Sequence, residues 1–121
     1  MNAVPSFSST GYVNSVVRTA RDAEYDVFSR VTRMLRQADT TGDGLDLIAA
    51  VDKNNQLWTI LASDLAGPGN ALPDQVRAGL LSLAGFALRH GHSALSGRAG
   101  VAPLIDINMA MMRGLRQEAP A

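Results

Sequence analysis

Residues 54–90, NNQLWTILASDLAGPGNALPDQVRAGLLSLAGFALRH, decide the fold, because they read as helix, turn, helix. Leu57, Trp58, Leu61 and Leu65 recur at i, i+1, i+4 and i+8, which lays an apolar stripe along one side of a helix. Gly67 and Pro68 end it, since Gly tolerates a left-handed cap and Pro cannot continue. Pro73 suits a first helical turn, and Asp74 beside it complements the helix dipole. Val76, Leu80, Leu83, Ala84 and Ala87 then rebuild an apolar stripe. The chain's one Trp falls in this block, which carries no evident catalytic group.

The same periodicity extends in both directions. Residues 1–14 are Ser-rich and predict a loose leader. Thr19 followed by Asp22 resembles an N-terminal cap. Val27, Phe28, Val31, Met34 and Leu35 mark the buried face of a first helix ending near Ala38. Residues 39–44, DTTGDG, predict a loop. A second helix runs from about Asp46 to Ala66 with Leu47, Ile48, Val51, Trp58, Leu61 and Leu65 inward. A third runs from Pro73 to about Leu95, with Gly91 as a weak point and Ser96-Gly97 as its end. The fourth starts at Val101 or Pro103 and reaches about Gln117, with Leu104, Ile105, Asn108, Met111, Met112 and Leu115 along one side. Residues 118–121 fray. No segment has strand alternation. Helices of this length are marginal alone, and short connections favour antiparallel neighbours. The expectation is all-α: a small single-domain bundle of about four helices over residues 1–121.

Composition sets bounds. A chain of 121 residues is one domain by length and buries enough surface for a single core. With no Cys there is no disulfide framework and no thiol nucleophile. The N-terminus lacks the basic and apolar regions of a signal peptide, and no stretch reaches the ~18 apolar residues of a membrane helix. The cytoplasm is the default location. Eleven basic and eleven acidic residues cancel, but unevenly: residues 18–36 are Arg-rich, residues 39–74 are acidic, and the C-terminal third is basic again. Such a layout solvates helix faces or orients a partner. With few aromatics and no basic-aromatic interleaving, the residues argue against direct RNA binding.

Motifs of catalysis are missing. Asp39-Thr-Thr-Gly-Asp43-Gly44 opens like a calcium loop, but the bidentate Glu position holds Ala50, so a turn with Asp43 capping the second helix is the better reading. His90 and His92, two apart on a helix, face different directions. There is no nucleophile elbow, phosphate loop or metalloprotease helix. We expect no enzyme, no cofactor and no metal. Asn54 and Asn108 interrupt apolar stripes. Either they pair with each other or with backbone and fix helix register, or they face a groove and bind a peptide backbone. Met109, Met111 and Met112 cannot all face one core, so they divide between core filling and an adaptable partner surface.

Asn54 with Leu57-Trp58-Thr59, then Asn70-Ala71-Leu72-Pro73, then Arg77-Ala78-Gly79, resembles the FlaF family of flagellar biosynthesis regulators. The run Pro103-Leu104-Ile105-Asp106-Ile107-Asn108, with Gly114-Leu115 after it, is similar to that family's C-terminal signature, and Tyr12 and Glu24 fit its looser N-terminal pattern. Where the family often has aromatic-Asn-basic-basic ahead of Leu-Trp, this chain has Lys53, Asn54, Asn55 and Gln56. The resemblance implies a non-enzymatic protein of flagellin production: an adaptor or chaperone that binds flagellin in the cytoplasm, or a regulator of flagellin translation acting through FlbT or the flagellin mRNA. A plain homodimeric bundle is the remaining alternative. Ile105, Asn108, Met109 and Met112 at i, i+3, i+4 and i+7, with Asn54 and Trp58, are the candidate partner-binding residues, bordering a groove of the second and fourth helices.

Overall fold

The helix breaks fall close to the turns read from the sequence. The computed structural model describes the backbone of residues 9–117 and the side chains of residues 24–116. Their order is α1 (Ser9–Thr41), α2 (Gly44–Ala66), α3 (Asp74–Leu95) and α4 (Ala102–Gln117), and among the described residues there is no strand. The all-α expectation holds. Residues 1–8 and 118–121, the beginning of the expected leader and the frayed tail, lie outside the described residues.

α1 starts earlier than its caps suggest. It is helical from Ser9, so Thr19 lies within the helix rather than at its start. Once a helix is nucleated, each added residue gains a hydrogen bond at small cost. No Pro follows Pro5 in this part of the chain to stop that propagation.

At the other breaks, local chemistry is explicit. Asp43 accepts hydrogen bonds from the backbone N–H groups of Leu45 at 2.9 Å and Asp46 at 3.2 Å, which makes it the N-cap of α2. Asp39, Thr40 and Thr41 are still helical, so the segment that opens like a calcium loop is the last turn of α1. Gly42 and Gly97 occupy positive φ, at 70° and 77°, where a side chain would be strained. Gly67 does not take the expected left-handed cap; its φ of −70° and ψ of 150° are extended. The following Pro68 imposes this, since its ring excludes helical geometry from the residue before it.

α1 packs against α2 and α4, and α3 packs against α2 and, less extensively, α4. Among the described residues, α1 and α3 make no close backbone approach, nor do α2 and α4, so these pairs stand diagonally across the bundle. The core joins Phe28, Val31, Leu35 and Ala38 of α1 to Ala50, Val51 and Trp58 of α2, Ala84, Ala87 and Ala94 of α3, and Leu104 of α4. Phe28 meets Trp58 edge-on, ring centroids 5.5 Å apart.

Every fully buried residue of α3 is small: Ala84, Ala87, Gly91 and Ala94. That face lets α3 approach α2 closely. Gly91 leaves no room for a side chain, because a Cβ there would collide with the Asn55 side chain. The apparent weak spot of the third helix is thus a point of close approach to α2. Some stripe members lie off the core. Met34, Ile48 and Val76 are exposed, since the buried arcs centre on Val31 and Leu35, on Val51 and Trp58, and on Ala84 and Ala87.

Candidate functional site: a buried polar relay and an apolar groove

A fully buried chain of polar side chains crosses the bundle. The indole Nε1–H of Trp58 donates to Asn108 Oδ1 at 3.0 Å, and Asn108 Nδ2–H donates to Asn54 Oδ1 at 2.7 Å. All three residues have 0% exposure. The direction of the chain follows from chemistry. An indole can only donate, so the Asn108 oxygen must face Trp58 and its NH₂ must face Asn54. The relay joins α2 to α4 across the diagonal, where helix backbones do not meet. Its function in the fold is register: α4 can rotate or slide only by leaving buried donors and acceptors unpaired, at about 1–3 kcal/mol each. The last donor of the chain, Asn54 Nδ2, has no partner, and neither do the buried Asn55 Oδ1 and Thr32 Oγ1.

This geometry reassigns half of the sequence-derived candidates. Asn54, Asn108 and Trp58 have no surface to present to a partner; they hold the bundle together. Of the two readings for the Asn pair, direct pairing is the one realised. Nor can α2 and α4 border one groove, because they are diagonal. Ile105, Met109 and Met112 remain partly exposed on α4, with Ile105 and Met112 also packed on the core. Met111 packs on the core as well, and all three methionines of α4 are partly buried.

The concave apolar surface lies elsewhere, between α1 and α2. It has a volume of about 350 Å³ and is lined by Val27 and Phe28 from α1, Leu57, Ile60 and Leu61 from α2, and the carboxylate residues Glu24 and Asp64. A broader depression of about 670 Å³ adjoins it around the Gly67–Ala71 turn and shares Ile60 and Asp64. Ile60 is 69% exposed. Stripe reasoning passes over Ile60 because it falls outside the inward set of Leu57, Trp58, Leu61 and Leu65; a large aliphatic residue at an outward position was the available signal.

Charged and basic groups serve mainly local structure. Arg77 pairs with Asp74 in the first turn of α3. The Arg116 guanidinium lies over the Tyr25 ring, 5.2 Å from its centroid, tying the end of α4 to α1. His90 stacks on Phe86 and its Nε2 lies 2.8 Å from the carbonyl of Gly100, bracing the turn into α4, while His92 Nδ1 bonds within α3 to the carbonyl of Leu88. Among the described residues no three His, Asp or Glu side chains are grouped to hold a metal ion, and no helix is long and apolar enough to cross a membrane.

Comparison with curated proteins finds no match, and comparison with solved structures finds none either. Comparison with protein families does: the family described as "Flagellar protein FlaF" matches residues 10–115, from the second residue of α1 almost to the end of α4. That span contains the whole relay and the whole α1–α2 groove. The chain belongs to the FlaF family of flagellar proteins.

Proposed function

We propose that this flagellar protein binds flagellin in the cytoplasm as a helical adaptor or chaperone, and by that binding supports flagellin synthesis, secretion and filament assembly. The observation that carries the reading is the apolar α1–α2 groove, on a scaffold in which the buried Trp58–Asn108–Asn54 relay ties α2 to α4. An amphipathic helix of an unassembled partner needs cover for its apolar face until it assembles. Two packed helices present the surface on which a third can lie. Phe28 packed edge-on against Trp58 holds α1 against α2, and a surface preformed in this way limits the ordering cost of binding.

The test is a binding assay with the purified full chain, challenged separately with monomeric flagellin, FlbT and flagellin leader RNA at physiological salt. Saturable binding of flagellin alone is the expected result. Capture of FlbT or of the RNA, with flagellin ignored, would replace this reading with that of a translational regulator.

A further inference from the structure

We propose that Met111 and Met112 form a reversible oxidation site: peroxide converts them to sulfoxides, and the sulfoxides release the last two turns of α4 from the core. The inference is independent of the proposed flagellin binding and concerns how firmly the end of α4 is held.

The sequence concentrates its sulfur. The chain has no Cys and five Met, and Met109, Met111 and Met112 fall close together on α4. Oxidation at sulfur in this protein is therefore methionine chemistry. Met34 on α1 is exposed, so a sulfoxide there stays in water.

The fold gives two of the methionines a structural consequence. Leu104 and Asn108 have 0% exposure, and Asn108 is bonded to Trp58. Downstream of Asn108, no described residue of α4 is fully buried. Met111, Met112 and Leu115 pack this segment on the core, and Arg116 lies over the Tyr25 ring. Most of that apolar hold is methionine. Gly114, in the same stretch, weakens the helix further.

Both methionines are partly exposed, so the oxidant meets them in the folded protein. The thioether sulfur attacks one oxygen of hydrogen peroxide; an S–O bond forms as the O–O bond breaks. The sulfur is oxidised and the peroxide reduced. The leaving hydroxide takes the proton of the new S–OH group and departs as water. A polar S–O group pressed against an apolar core costs free energy unless it is hydrogen-bonded, so the side chain turns to water and its packing is lost. Methionine sulfoxide reductases remove the oxygen again, which makes the change reversible.

The experiment uses the full chain, Met34→Leu, and the double variant Met111→Leu with Met112→Leu, swaps that nearly conserve volume. Each is treated with hydrogen peroxide. Peptide mass spectrometry locates the sulfoxides, while thermal melts and amide exchange read the structural effect. The parent should take up oxygen at Met34, Met111 and Met112, melt several degrees lower, and exchange faster at residues 109–116. Reductase treatment should restore the melt. Oxidised Met34→Leu should fall as the parent does, whereas the oxidised double variant should keep its untreated melting temperature. Four results would overturn the inference: an oxidised parent that melts unchanged; Met111 and Met112 left unmodified where Met34 reacts; a double variant that falls as far as the parent; or a loss that persists after the sulfoxides are reduced.

Discussion

Asn108 accepts the indole N–H of Trp58 at 3.0 Å although the helices carrying the two residues are diagonal in the bundle. Polar side chains therefore bridge the centre where apolar ones could have met. Apolar packing tolerates small rotations of a helix, whereas a hydrogen bond fixes distance and direction together. The relay continues to Asn54, so three residues set the register of α4 relative to α2.

The relay should behave as a coupled unit. Asn108→Ala leaves both the Trp58 N–H and the Asn54 carbonyl oxygen unpaired and should cost about 2–5 kcal/mol in denaturant unfolding. A double-mutant cycle between Asn54→Ala and Asn108→Ala should give a coupling of about 0.5–3 kcal/mol. Additive effects would mean that the 2.7 Å contact contributes nothing to stability.

Trp58→Ala removes the largest buried side chain, its edge-on contact with Phe28 and the first donor of the relay. Unfolding free energy should fall by about 3–5 kcal/mol. In the parent, Trp58 fluorescence should report a buried indole; emission at the position of a solvated one would refute its placement.

Much of this was legible in the sequence, and the failures have a common cause. Periodicity identifies the helices and places Trp58 inward, and local chemistry identifies the Asp43 cap. Periodicity alone does not say which helices are neighbours and which are diagonal. The pairing of α2 with α4 around a shared groove failed for that reason, and with it the assignment of Asn54, Asn108 and Trp58 to a partner face. Gly91 reads as a helix weakness in one dimension and is a packing requirement in three. Ile60 escaped notice because stripe reasoning ranks residues that point inward.

Two glycines of α3 should respond oppositely to alanine. Gly91→Ala sets a Cβ against Asn55 and should destabilise by about 1–3 kcal/mol, with relief on adding Asn55→Ala. Gly79→Ala meets no atom within 4 Å and should stabilise by about 0.4–1 kcal/mol. Equal effects in thermal unfolding would contradict the close α2–α3 approach.

Asp43→Ala removes the two side-chain bonds that cap α2 and should cost about 1 kcal/mol, while Asp43→Asn should retain most of the stability. Millimolar calcium should leave the melting temperature unchanged, since Asp39 and Thr41 belong to a helical turn and Ala50 stands where a calcium loop needs Glu. A calcium-dependent rise reversed by chelator would contradict this.

The most direct measurement of the central claim, an internal relay with a separate docking groove, is amide hydrogen exchange of the full chain with and without monomeric flagellin. The account predicts new protection in residues 24–28 and 57–64, with residues 104–112 of α4 unchanged because the relay already protects them. New protection confined to α4, or slow exchange nowhere in α4 of the free protein, would contradict it.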